Sequence, residues 1–258
     1  MKCPNQKNLE CNWISSPKGK NKAEEKSFSA FFISNSNMEH LSHLILKVEE
    51  EWLNKLFIGC KELFSETKIP SHDHEHSKRV WNICKEIIIE LSNSFSIDEK
   101  LLEACIIASF FHDTGLSKTL SENHGLESRK LCQEYFFHNN IEEPAIFDQI
   151  LEAIEKHDDK EYKESNNNPY SILSILCAAD DLDAFGRIGI IRYTEIYLLR
   201  GIGFNELPNA VIENMDKRFV NFERNYRFLP RLYNKYLNQY QIAKDFFIEL
   251  KKEITSSY

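Results

Sequence analysis

Four residues on three separated stretches have the types and positions needed to bind a metal: His76, the doublet His112-Asp113, and Asp180. Each stretch reads as a helix, and each puts its polar residue on the apolar face. Leu101, Cys105, Ala108 and His112 follow one another at helical spacing, so His112 continues a buried stripe. His76 lies four residues before Val80 on the apolar side of its helix, whereas His72 precedes the expected N-cap Asp73 and His74 points about 160° away. Asp180 is in line with Leu173, Leu176 and Cys177; Asp181 and Asp183 are turned from that line by about 100° and 300°. Buried carboxylates and imidazoles are costly unless paired or bound to a cation. Two of each make a mixed nitrogen–oxygen donor set suited to Mn, Fe, Co, Ni, Mg or Zn, with no thiolate to demand a soft ion.

These residues need helices to carry them, and the chain supplies helical patterns nearly throughout. Residues 1–37, rich in Lys, Asn and Ser, show no sustained period and read as a flexible extension. Phe28, Phe31, Phe32 and Ile33 are available to dock on the body, and Met38 offers an alternative start. From Glu39 onward Leu41, Leu44, Ile45, Val48, Trp52 and Leu56 keep to helical steps. Pro70-Ser71-His72-Asp73 breaks that pattern and caps the next helix. Gly115 is expected to close the central helix. His124 heads a stripe at 124, 128, 131 and 135, and His157 extends the stripe of Ile146, Ile150, Ala153 and Ile154. The tail from Asn205 is helical and aromatic, with Phe219, Phe222, Tyr226, Tyr236 and Tyr240. No stretch alternates as a strand should, so the fold class is all-α.

Composition narrows the function classes. A hydrophobic fraction of 42% and a charged fraction of 28% describe a globular chain. A net charge of −8 argues against a broad grip on nucleic acid. No apolar run reaches membrane-spanning length and the N-terminus has no signal-like apolar core, so a cytoplasmic location is expected. Of seven cysteines, Cys84, Cys105, Cys132 and Cys177 read as small core residues, while Cys3 and Cys11 make only a weak zinc signal.

The order His…His-Asp…Asp on helices resembles the HD-domain superfamily of metal-dependent phosphohydrolases. His76-Ser77-Lys78-Arg79-Val80 is similar to the opening motif and Phe111-His112-Asp113-Thr114-Gly115 to the defining doublet. The segment Ala178-Ala179-Asp180-Asp181-Leu182-Asp183 resembles the closing motif of one bacterial branch, which often reads Asp-Ala-Asp-Arg where this chain has Ala178-Ala179-Asp180-Asp181. The resemblance covers roughly residues 70–200. It implies an HD-domain helical bundle with additional C-terminal helices and a divalent ion on His76, His112, Asp113 and Asp180. His124 and His157 sit where binuclear members bind a second ion; hydrogen bonding to substrate or a place in the core fits them equally. One or two ions per chain would then activate water against a small phosphate ester, a nucleotide included. Asp113 would bridge the ions or orient that water. Arg79 would assist it, and Lys78, Lys118, Arg187 and Arg192 would clamp phosphate.

On this reading residues 1–37 are an extension, 38–204 an HD-type domain, and 205–258 a helical segment packed on it. Two rivals stand beside the hydrolase: a binuclear-iron oxygenase of the same fold, and a non-catalytic nucleotide-binding module. No membrane partner is expected, and a homo-oligomer is left open.

Overall fold

A computed structural model of the chain describes residues 22–65, 69–120, 124–159 and 168–256, with side chains from residue 38. Among these residues there are helices and no strand. The elements are α1 (Lys22–Leu63), α2 (His74–Leu91), α3 (Glu99–Phe111), a 3-10 turn (Thr114–Ser117), α4 (Gly125–His138) and α5 (Phe147–Lys156). They continue with α6 (Ile172–Asp183), α7 (Gly186–Leu199), α8 (Leu207–Tyr226) and α9 (Pro230–Ser256). Contacts divide the chain into two compact units, Met1–Asn37 and Met38–Tyr258, and the second holds the helical body. The expected extension over 1–37 lies outside the described residues as far as residue 21, and helix is present from Lys22. Cys3 and Cys11 and the side chains of Phe28, Phe31, Phe32 and Ile33 likewise lie outside.

The starts of the helices that matter follow from their caps. Asp73 accepts from the backbone N–H of Glu75 and of His76, 3.0 Å each. Asp98 accepts from Leu101 N–H at 2.9 Å and Ser171 from Ser174 N–H at 3.1 Å. Each satisfies donors the helix cannot, contributing about 1 kcal/mol.

Helix α3 is the centre of the packing. From Ala104 to Phe111 every side chain is buried, so the stripe expected from the sequence is in fact a whole circumference. Helices α2, α4, α5 and α6 surround it. Its last carbonyls have no helical partners and cannot reach water. Ser77 Oγ donates to Phe110 O at 3.3 Å, and Thr114 Oγ1 to Phe111 O at 2.8 Å. The chain then leaves helix by the 3-10 turn. Gly115 does not close α3 as a left-handed cap, since the only positive-φ glycines among the described residues are Gly186 and Gly201. It is small because a Cβ there would strike His124 O and Ser128 N at the head of α4.

The C-terminal helices share the core. Phe219 and Tyr240 stack with ring centroids 4.2 Å apart, and Phe222 packs edge-on to Tyr236 at 6.1 Å. Tyr226 donates its hydroxyl to Pro169 O at 2.8 Å. Helix α9 packs on α8, α7 and α2, burying Leu232, Tyr236, Tyr240, Ala243 and Phe247. The large side chains each contribute about 1.5–3 kcal/mol by that burial. The five described cysteines, Cys60, Cys84, Cys105, Cys132 and Cys177, are all buried.

Candidate metal centre

Three helix ends converge on one point. His76 comes from the first turn of α2, His112 and Asp113 from the residues just after α3, and Asp180 from α6. His76 Nε2 lies 3.2 Å from His112 Nε2, 3.1 Å from Asp113 Oδ2 and 3.6 Å from Asp180 Oδ1. His112 Nε2 lies 3.4 Å from Asp113 Oδ2 and 3.9 Å from Asp180 Oδ1. All four donor atoms fall within 4.8 Å of one another.

The other nitrogen of each ring explains why these atoms point inward. His112 is the C-cap of α3, and its Nδ1 is 2.9 Å from Ser109 O. His157 is the C-cap of α5, and its Nδ1 is 2.6 Å from Ile154 O. A carbonyl only accepts, so both Nδ1 atoms carry a proton and both Nε2 atoms face the centre, where each donates when protonated and can ligate once that proton is lost. His76 Nδ1 is fixed the same way by Asp183 Oδ2 at 2.8 Å. Two Nε2 lone pairs 3.2 Å apart, backed by carboxylates, repel unless a cation or a proton lies between them. The donor set therefore fits a divalent ion, and the outer carboxylate and carbonyl partners are of the kind that orient metal-binding imidazoles.

A second group shares one residue with the first. Asp113 turns Oδ2 to His76 and His112, and its other oxygen, Oδ1, to His124 Nε2 at 2.8 Å and His157 Nε2 at 3.2 Å. The two imidazole Nε2 atoms are 3.1 Å apart. Asp158 Oδ2 stands 3.4 Å behind His124 Nδ1. Gly125 makes this approach possible, because a Cβ there would meet Glu155 O at the end of α5. Asp113, His124 and His157 form a second set of donors able to hold an ion.

The electrostatics follow from this crowding. Burial pushes the Asp113 carboxyl up, but His112 beside it and hydrogen bonds from His112, His124 and His157 win and hold it well below the usual range. Burial opposes charge on His112 too, yet Asp113 and Asp180 push that imidazole up to about 10. Burial raises Asp180 as well, and Arg218 is the largest influence bringing it well below its ordinary value. Asp183 goes down to about 2 against its own burial, through Arg192, His76 and Arg79. In each case charge pairing outweighs desolvation.

The basic residues are arranged differently from the expectation. Arg79, three residues from His76, faces the C-terminal end of α6. Its Nε and Nη2 donate to Asp183 at 3.0 and 3.2 Å, so it stands behind His76, outside the cavity. Lys78 is exposed, with Nζ 5.3 Å from the Phe57 ring centroid. Lys118 and Arg187 are also exposed and do not line the cavity. Arg192 does line it: buried, it donates to Asp183 Oδ2 at 2.9 Å and reaches His76 Nε2 at 3.1 Å.

Several residues at the site were not legible in advance. Asp181, placed off the buried face by helical phase, is buried because every residue of α6 is, and it pairs with Arg218 Nη1 at 2.9 Å. Arg218 also reaches Asp180 Oδ2 at 3.3 Å from α8, a helix whose basic residues carry no motif. His72 is buried, its ring centroid 5.6 Å from that of His76. Burial, and after it Arg192, hold its pKa well below the ordinary value. His74 instead packs edge-on against Phe57 at 4.8 Å. A cavity of about 560 Å³ opens on Asp113, His124 and Asp180 and runs between α7 and α8, large enough for an organic ligand.

No curated protein and no solved structure matches the chain. Residues 74–184 match the family model described as HD domain, the segment that contains all six candidate ligands, and this segment is an HD domain.

Proposed function

We propose that the chain is a metal-dependent phosphohydrolase that cleaves a small phosphate ester, a nucleotide foremost, with water as the nucleophile. The observation that carries this reading is Asp113 giving one carboxylate oxygen to each of two buried donor groups, at the floor of a cavity with guanidinium groups in its wall. A divalent ion bound there would lower the pKa of a water and polarise a phosphoryl oxygen.

The chain's own residues have separable tasks. His76, His112, Asp113 and Asp180 would hold one ion, and Asp113, His124 and His157 a second. Arg192 and Arg218 are the guanidinium groups nearest this end of the cavity, and they supply positive charge for an incoming phosphoryl group. His72 handles a proton. Ser71 donates its hydroxyl to Glu195 and lies 3.0 Å from His72 Nδ1. With that hydroxyl proton committed to Glu195, Ser71 Oγ accepts from His72 Nδ1–H. Nε2 of His72 is then left as the neutral, unprotonated nitrogen of a residue lining the cavity.

The test is phosphate release from a panel of nucleotides and sugar phosphates with Mn, Co, Ni or Mg, in wild type and in Asp180→Asn. Release that depends on metal and is lost in the variant supports the reading. A metal-loaded protein that releases no phosphate but consumes oxygen would instead favour the oxygenase, to which the second histidine pair is equally suited.

A further inference from the structure

Helix α8 has two faces of opposite character. Val211, Met215, Phe219, Phe222 and Tyr226 are buried. Asn214, Lys217, Arg218, Asn221 and Arg224, at steps of three, one, three and three, all line the cavity. Arg218 sits at the metal end, already committed to Asp180 and Asp181. The stripe does not stop there. Arg224 lies six residues further on, about 9 Å along the helix axis, with Asn221 between them. Asn221 Oδ1 accepts from Arg224 Nη1 at 3.3 Å, which leaves the amide NH₂ as a donor. The one carboxylate this part of α8 contributes to the wall, Asp216, is neutralised by Lys244 at 2.9 Å and accepts from the Tyr240 hydroxyl at 2.6 Å, and Lys217 holds Glu213 at 2.7 Å in an exposed pair that an incoming anion can displace. The helix thus offers donors well beyond the reach of a phosphoryl group seated on the metal ligands. On the α7 wall, Tyr193, Ile196 and Tyr197 give an apolar and aromatic surface.

We infer that the substrate carries a second anionic group, held by Lys217, Asn221 and Arg224 of α8, and a ring-bearing portion seated against Tyr193, Ile196 and Tyr197. The inference deepens the hydrolase reading and rests on it for the position of the reacting phosphate. The chemical class is a bis-anionic phosphate ester built on a ring, such as a nucleoside bisphosphate with its phosphates on opposite sides of the ribose. A simple phosphomonoester would engage only the metal half of the cavity wall.

The experiment is calorimetric titration of the full, metal-loaded chain with that nucleoside bisphosphate and with the matching monophosphate, while phosphate release is recorded separately. The bisphosphate should bind about tenfold tighter or more, the scale of a charge-assisted hydrogen bond or two. The Lys217→Ala/Arg224→Ala double variant should lose that preference, and Arg224→Lys, which retains the charge, should keep most of it. Equal affinities in wild type, or a preference that survives the double substitution, overturns the inference. Preferential binding without phosphate release keeps the second anion site and removes the hydrolase reading. Release without preference does the reverse.

Discussion

Asp183 stands directly behind His76, its Oδ2 2.8 Å from the ring Nδ1. The same carboxylate receives Arg79 and Arg192, so one residue orients a ligand and fixes two guanidinium groups. Asp183→Asn should weaken binding of the ion on His76 by about 10–100-fold, the usual cost of losing an outer carboxylate partner. Competition with a fluorescent chelator measures it, and an unchanged affinity would show that Asp183 serves only the arginines.

Sharing through Asp113 makes stoichiometry informative. Wild type should hold two divalent ions per chain under saturating Mn. His124→Ala should hold one, and Asp113→Ala none, because only Asp113 belongs to both groups. Elemental analysis of desalted protein gives the answer. Retention of both ions by His124→Ala would place the second one elsewhere.

The pH dependence of metal binding has a definite sign. His112 is pushed up to about 10 in the metal-free protein, so near neutrality its Nε2 carries a proton. That proton must leave before the nitrogen can ligate. Affinity should therefore rise with pH, by about tenfold per unit for each proton released, until pH passes the His112 value. Titrations in buffers of different ionisation enthalpy would detect the proton directly. A flat profile from about pH 6 to about pH 9, where an ordinary imidazole has already lost its proton over most of the span, would contradict it.

The C-terminal helices should prove inseparable from the rest. Phe222 is fully buried and touches Tyr226, Tyr233 and Tyr236, and Phe222→Ala should cost about 3–5 kcal/mol. Truncation after Gly203 removes that whole aromatic layer and should give an insoluble or molten chain. Denaturant melts of both proteins check this, and a cooperative, native-like melt of the truncation would count against it.

The sequence made the metal end legible because its signal is local. Asp113 apart, each candidate ligand is one polar residue in line with an apolar helical stripe, as His76 before Val80 and His157 after Ile154 are. Helical phase failed at Asp181 because α6 is buried all round, and phase separates faces only when one of them is wet. Closeness to His76 in sequence did not reveal that Arg79 turns to Asp183, because the helix swings a residue beside a candidate ligand to another neighbour. His72, Arg192 and Arg218 come from a loop and from two helices brought in by tertiary packing. Of these only Arg192 had a nearby motif to suggest it.

All six candidate metal ligands lie between His76 and Asp180, inside the matched segment, whereas the walls of the cavity come largely from α7 and α8, which begin after it. Chemistry and selectivity are thus written in different parts of the chain. On the proposed hydrolase reading, the fixed buried candidate ligands would set what kind of bond is attacked. Past Arg218, which is held on Asp180 and Asp181, the polar face of α8 has more room to change residue by residue, because the opposite face answers to the core. Two chains with the same ligand end and different eighth helices would be one catalyst with two appetites, and altering Lys217, Asn221 and Arg224 is the direct way to redirect it.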